Sequence, residues 1–398
     1  MADLALSDVR VLDLGSDIPG PYCARLLADF GADVIKVEPL EGDPSRRTGP
    51  FPGDLPHPEK SGLFLYLNAN KRGITLDYST RSGRMLLDKL VAWADVLIEN
   101  NLPSRARALG LDWERLRGVN PKLVLTSITP FGQTGPYADY SSEEIALFAM
   151  SGRMYIHGQP DREPLRYAPD TLWFQTGATA AVATMGALFA SRRFGIGQHV
   201  DISGLEALAG NVDTRTLFYT MGGTVPKPVE ATISPTAGVV PCADGYMLMI
   251  AAGERFFRRL LRAIGMTELL SDPRFATLAA RMEHRDELEA LLLPWFAERT
   301  RAQAFAELQR FSVMCAPIQT VNEVFNDPQV QERAFFVEHA HPAAGQVTLP
   351  GAPFQMQETP WSLRRPAPLL GQHNAEVYGE LLGYGNDDLR VLSGTGVI

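Results

Sequence analysis

Cysteine is scarce in this 398-residue chain: Cys23, Cys242 and Cys315 are the three, an odd number set far apart. That excludes a disulfide scaffold and a cysteine–metal spacing, and it fits a reducing compartment. An excess of positive charge is missing too. The formal net charge is −9, which argues against non-specific nucleic-acid binding while leaving room for a local basic pocket. No hydrophobic run is long enough to span a bilayer, so no membrane role is expected. The longest mostly apolar stretch, Gly177 to Ala190, reads as a buried helix. Met1-Ala2-Asp3-Leu4 has no basic segment leading into an apolar one, so no secretory signal is expected and the expected location is cytoplasmic. The sequence also lacks GxGxxG and GxxxxGKS/T, which removes a dinucleotide or a nucleoside triphosphate as the default ligand. GxSxG and HExxH are absent as well. Of seven histidines only His339 and His341 are close neighbours, with no third ligand in view, so no metal is expected.

What is present begins at Val9 to Glu38. Val9–Leu14 is a short apolar and β-branched run, broken by Gly15, Pro19, Gly20 and Pro21. Cys23–Phe30 carries apolar residues at helical spacing, and Asp33–Glu38 is a second strand. Strand, crossover helix and parallel strand in so little chain make a βαβ unit, whose ligand sites lie at the carboxyl ends of the strands. The turn Gly15 to Pro21 is therefore the first candidate site.

Pro39 to Lys60, rich in Pro, Gly and charge, reads as a surface loop long enough for a lid. Helix signals between Ser79 and Trp93, strands Val96–Ile98 and Leu123–Ile128, helices from Ser142 to Gly152 and Asp170 to Arg193, and strand Val200–Ile202 follow. Alternating strands and helices predict an α/β fold with a mostly parallel sheet covered on both faces. Gly204 to Thr220 reads as one long helix. Residues 225–325 change character, with a hairpin at Val239–Ile250 and charged amphipathic helices, and form the candidate smaller α+β domain. Val347–Leu349 and the stretch from Phe354 read as β, and Ala375–Leu382 as a helix.

Four groups could carry chemistry. Lys71 and Arg72, beside Asn68 and Asn70, read as a turn in which two cations meet a phosphate, or as a solvated basic turn. Lys36, inside an apolar strand, needs an anion, either a ligand or a protein carboxylate such as Glu38. Gly132, Gln133 and Gly135, after strand Leu123–Ile128, allow close backbone approach to a ligand or simply form a tight turn. Glu143, Glu144 and Asp170 start helices, where acids serve as caps or, at a pocket, as nucleophiles or proton carriers.

In order along the chain, these stretches resemble the class III coenzyme A transferases, the formyl-CoA and carnitine-CoA transferase family. Val11-Leu12-Asp13-Leu14, Ala28 to Glu38, Asn68 to Asp77, Asp95 to Asn100, Phe131 to Tyr137, Gly195 to Gln198, Asp327 to Val330 and Pro366 to Gly371 carry the resemblance. It implies a large Rossmann-like, CoA-binding domain built from residues 1–224 and 326–398, a smaller α+β domain at 225–325, and an interlocked dimer. It implies acyl-CoA and a carboxylic acid as substrates, with CoA near Ser16, Asp17, Ile18, Lys36, Asn70, Lys71, Arg72, Gly132, Gln133 and Gly135. The family's mechanism uses one aspartate as nucleophile. Counting back from Thr176-Gly177, its position falls on Trp173, and Asp170 lies three residues earlier, close to one helical turn. Asp170 is therefore the nominated nucleophile, with Glu143 or Glu144 behind it. Two other readings stand beside this one. A 2-methylacyl-CoA racemase would need a histidine where Glu143 aligns. A non-catalytic acyl-CoA-binding subunit, paired with a related chain in a heterodimer rather than in a homodimer, would explain Trp173.

Overall fold

Alternating side chains decide the first sheet of the computed structural model, which describes residues 4–210, 215–228 and 234–398. β1 (Arg10–Asp13), α1 (Pro19–Asp29), β2 (Asp33–Glu38), α2 (Gly62–Asn68), β3 (Lys71–Thr75), α3 (Arg81–Trp93) and β4 (Val96–Glu99) open the chain. α4 (Pro103–Leu109), α5 (Trp113–Val119), β5 (Val124–Thr129), α6 (Glu144–Met150), α7 (Thr171–Phe194), β6 (Gln198–Ser203), α8 (Gly204–Gly210) and α9 (Arg215–Gly222) follow. The six strands pair in the order β3-β2-β1-β4-β5-β6, every pair parallel.

Successive strand residues face opposite sides of the sheet, and both sides are covered. Leu12, Ile35 and Leu97 pack against Leu86, Leu87 and Leu90 of α3 and against Val377 and Tyr378 from the chain's end. Val11, Val34 and Val96 pack against Cys23, Ala24 and Leu27 of α1 and Ala180, Ala187 and Leu188 of α7. α1 and α7 approach closely because Gly177 has no side chain; a Cβ there would lie 2.7 Å from the Pro19 carbonyl oxygen. The turn after β1 has a similar requirement. A Cβ on Gly15 would stand 2.8 Å from Gly20 Cα, so the loop folds over the start of α1 only as glycine.

The chain divides into two compact units, one of Met1–His157, Pro164–Lys227 and Glu332–Ile398, the other of Gly158–Glu163 and Pro228–Gln331. The second unit contains β7 (Ala237–Cys242), β8 (Gly245–Ile250) and β9 (Met314–Pro317), antiparallel in that order. Its helices bury Phe257, Leu260, Leu292 and Phe296 against Val240, Met247 and Met249. The first unit also holds the hairpin of β10 (Phe336–His341) and β11 (Gly345–Pro350).

Three expectations change. Lys71 and Arg72 lie in β3 rather than in a turn. The stretch 204–220 holds two helices, α8 and α9, and residues 211–214 between them lie outside the described residues. The stretch after Phe354 has no strand among the described residues. His341 is buried, its Nδ1 accepting from the Ala343 and Ala344 N–H groups at 3.2 and 3.1 Å, so it holds the hairpin turn.

Candidate active site

At the carboxyl ends of β1, β2, β3 and β4 lies a cavity of about 660 Å³. Its walls include Ser16, Asp17, Asp43, Tyr78, Asn101 and Arg105. The side-chain amide of Asn100 fixes the loop after β1. Its Oδ1 accepts from Ser16 N at 2.8 Å and its Nδ2 donates to Ser16 O at 2.9 Å. Ser16 and Asp17 therefore reach the cavity; Ile18 is buried behind them at the start of α1. Asp17 adopts a left-handed backbone, with φ at 56°.

A buried ion network carries this wall. Lys36 Nζ, wholly enclosed, donates to Gly15 O and to Asp43 Oδ2, the latter at 2.8 Å. Asp43 Oδ1 accepts from Ser45 N at 2.9 Å, from Ser45 Oγ at 2.6 Å and from Asp17 N at 3.3 Å. Glu38 takes a forked pair from Arg46 at 2.6 and 2.7 Å, and Arg46 stacks over Phe64 at 3.7 Å. Burial works against the Lys36 ammonium, yet Asp13, Asp43 and Glu38 together raise its pKa. Burial would likewise raise Asp43, but Lys36 and Ser45 hold it below the usual carboxylate value.

Of the polar side chains expected to meet CoA, four are committed to the protein itself. Lys36 is one. Lys71 Nζ donates to Asp13 Oδ2 at 2.8 Å, Pro21 O at 2.8 Å and Asn68 Oδ1 at 3.0 Å, so all three ammonium protons are placed. Burial and then nearby Lys36 oppose Asp13 and leave that ammonium at about 8. Asn70 Nδ2 donates to Asp29 Oδ1 and Ser362 O, while its Oδ1 accepts from the Arg364 and Arg365 N–H groups. Arg72 forks onto Asp33 and also reaches Glu376 at 2.9 Å. Asn70 and Arg72 thus lock the returning end of the chain onto the opening sheet. None of the four lines the cavity. Arg47 and Arg105, exposed on its wall, are the cations among its lining residues. Sequence reasoning missed both; the signal was their place in the 39–60 loop and just after Asp95–Asn100.

Gly132, Gln133 and Gly135 sit at the carboxyl end of β5, with positive φ at both glycines and Gln133 N held by the Asp201 carboxylate at 3.0 Å. They do not line this cavity.

The candidate acids gather at the start of α7. Asp170 precedes its first turn, with φ at 68°, and its side chain makes no capping bond. Glu144 provides the cap instead, accepting from Asp170 N at 2.8 Å and from Leu172 N at 2.6 Å. Asp170 lines a second cavity of about 570 Å³. Glu143 is exposed at the start of α6. Both acids lie within electrostatic reach of Asp17. Burial and Asp43 raise the Asp17 pKa, Lys36 opposes them, and Glu143 and Asp170 add to the rise.

Trp173 and Met154 pack with Leu147, Phe148, Leu172 and Leu208. Phe174 stacks edge-on to Tyr22 at 4.9 Å. Met150 is exposed.

Comparison with known proteins agrees over almost the whole chain. The model of "CoA-transferase family III" matches residues 6–374. Succinyl-CoA–D-citramalate CoA-transferase of Chloroflexus aurantiacus is 36% identical over 99% of this chain and 98% of that protein. Subunit BbsE of the succinyl-CoA:(R)-benzylsuccinate CoA-transferase of Thauera aromatica is 35% identical over 94% of this chain and 93% of that protein. Among solved structures, a CAIB/BAIF family protein from Brucella suis superposes with a TM-score of 0.84 at 34% identity, covering 95% of this chain and all of that one.

Proposed function

We propose, for a chain that belongs to CoA-transferase family III, that Asp170 is the carboxylate through which it moves CoA from an acyl-CoA to a carboxylic acid. The observation that carries this assignment is the division of labour at α7. An aspartate before a helix usually caps it, but here Glu144 caps the helix and Asp170 faces a cavity.

CoA is assigned to the cavity at the sheet's carboxyl edge. Arg47 and Arg105 would meet its phosphates, and Ser16 and Asp17 would lie along the pantetheine arm. The Asp170 oxygen attacks the thioester carbon, the C–S bond breaks, and CoA leaves as thiolate. Thiolate then attacks the aspartyl carbonyl of the mixed anhydride, releasing the donor acid and leaving aspartyl-CoA. The acceptor carboxylate runs the two steps backwards and regenerates Asp170. Lys36, Asn70, Lys71 and Arg72 act by holding the walls.

We also propose a smaller α+β domain at 225–325, a cytoplasmic location and an interlocked dimer, of two copies or with a related chain. The dimer is supported by exposed apolar side chains on α7 and α9, among them Val182, Phe189, Phe218 and Met221. A non-catalytic subunit is the second reading, favoured by Trp173 standing in a packed cluster at the aligned nucleophile position.

Asp170→Asn tests the assignment. CoA exchange between acyl-CoA and added acids falls by at least about 10³-fold while CoA still binds. Hydroxylamine or borohydride after incubation with acyl-CoA marks Asp170 in the unaltered chain. Exchange that survives the substitution, or a mark on another carboxylate, overturns it.

A further inference from the structure

Glu99, the last residue of β4, is wholly enclosed, and no ion pair reaches it among the described residues. The other enclosed carboxylates among them each hold a cation: Asp13 holds Lys71, Asp29 holds Arg25, Glu38 holds Arg46 and Asp43 holds Lys36. An ionised carboxylate buried without a cation is far more costly than the same group carrying its proton. The hydrogen bonds around Glu99 fit the protonated state. Its Oε2 accepts from the N–H and the Nδ2 of Asn101 at 2.8 and 3.0 Å. Its Oε1 is buried and receives no donor at full bonding geometry among the described residues. Beside the carboxyl stands Ser127, its partner in the β4–β5 register and within hydrogen-bonding reach. Ser127 Oγ lies 2.9 Å from Nε2 of His199 on β6, the next strand. A proton on Oε1 completes this line: Glu99 donates to Ser127, and Ser127 donates to a neutral His199.

We propose that Glu99 stands as a neutral acid in the folded chain and acts as a positioning residue, holding the Asn101 amide in the wall of the cavity assigned to CoA. The positioning role rests on CoA occupying that cavity, which Asn101 and Tyr78 line. An ionised Glu99 behind that wall would repel the phosphates of CoA; the neutral acid holds Asn101 without that charge. The groups around the line agree. Burial raises the Glu99 pKa, against Ser127 and Asn101, and burial lowers that of His199, against Asp201 on the same strand. Tyr78 faces Glu99, with Lys36 and Arg105 acting on Tyr78 in turn. Trp113 of α5 stacks on His199.

Infrared difference spectroscopy of the full chain against Glu99→Gln, at about pH 7, reads the proton. The variant should lose one carbonyl band of a protonated carboxyl; loss of a carboxylate band instead overturns the proposal. Calorimetric titration with CoA reads the positioning. Glu99→Gln, whose amide both accepts and donates, keeps the CoA affinity of the unaltered chain, whereas Glu99→Leu and Asn101→Ala each weaken CoA about 10-fold. Joined in one chain, the last two weaken it no further than either alone. Tighter CoA binding in Glu99→Gln would reveal a lost negative charge. Additive losses in the double variant would mean that Glu99 acts through the fold. Either result, or unchanged affinity in Asn101→Ala, overturns the proposal. Where Glu99→Leu fails to fold, the infrared band and Asn101→Ala decide it. If Arg47→Ala and Arg105→Ala also leave CoA affinity unchanged, the assignment of CoA to this cavity falls as well, and the infrared band still decides the proton on Glu99.

Discussion

Replacing Lys36 with Met removes the cation beneath the cavity wall without removing its volume. Asp43 then keeps the N–H and hydroxyl of Ser45 and the N–H of Asp17, but loses the ammonium at 2.8 Å; Gly15 O loses its donor. Stranding one member of a buried ion pair costs about 3–5 kcal/mol. The three donors left to Asp43 set the expected loss at the lower end, about 3 kcal/mol. Lys36→Met with Asp43→Asn removes both charges, and the double variant should be about 2 kcal/mol more stable than the sum of the single losses. Urea unfolding of all four proteins measures this cycle.

The pH dependence follows from the same pair. The native pKa of Asp43 lies below its ordinary 3.8, so its contribution is present above 3.8 and is lost as pH falls through the lower native value. Without Lys36, burial acts unopposed and raises that pKa, so the variant regains stability as acid protonates Asp43. The second effect shrinks the difference between unaltered chain and variant as pH falls towards 3.8, and the first shrinks it further below 3.8. At the alkaline end, the Lys36 pKa is raised above 10.5. Its contribution therefore holds below 10.5 and fades only as pH rises through the higher native value. The difference should be flat from about pH 6 to 7 and widen above that, because Lys36 helps hold the Lys71 ammonium at about 8 and the variant loses that effect. A loss under about 1 kcal/mol, or a difference that does not shrink in acid, would refute the buried pair as the support of the Gly15–Asp17 loop.

Glu144→Ala removes the acceptor of the Asp170 and Leu172 N–H groups. It should cost about 1–2 kcal/mol by thermal melting and lower the rate of CoA exchange while CoA affinity, read by titration, is kept. Gly177→Ala would set a methyl 2.7 Å from the Pro19 carbonyl oxygen and 3.2 Å from the Tyr22 ring. Because α1 and α7 cannot part without opening the core beneath, we expect a loss of about 1–3 kcal/mol in urea unfolding.

The parallel sheet was legible because its signal is local. Val34, Ile35 and Val37 alternate between two buried faces within one strand, and any window over them shows it. The fate of the basic residues was not legible, because what distinguishes a buried cation from a surface one is a distant partner. Lys71 meets Asp13 from 58 positions earlier, and Arg72 meets Glu376 from 304 positions later. A cluster of Asn, Lys and Arg preserves residue types along the chain but not exposure. Arg47 and Arg105 show the converse. They stand in the cavity wall, while Arg46, next to Arg47, is buried and Arg107, two residues from Arg105, does not line it.

The start of α7 carries the same lesson in a harder form. Aspartate before a helix and glutamate in a first turn both read as caps, and the sequence offers no way to divide the roles between Asp170 and Glu144. The backbone divides them. With φ at 68°, Asp170 turns the chain so that its N–H joins that of Leu172 on one carboxylate, Glu144, which reaches back from α6. A left-handed aspartate costs on the order of 1 kcal/mol, more than a mere cap needs to invest. That cost is explained if the residue's task is to keep its own carboxylate off the helix and at the cavity. Trp173, one turn further on, faces the cluster of Leu147, Leu172 and Leu208, where an ionised acid would be stranded in apolar surroundings. In this chain, therefore, an acid that must meet both solvent and thioester is better placed before the first turn of α7 than within it.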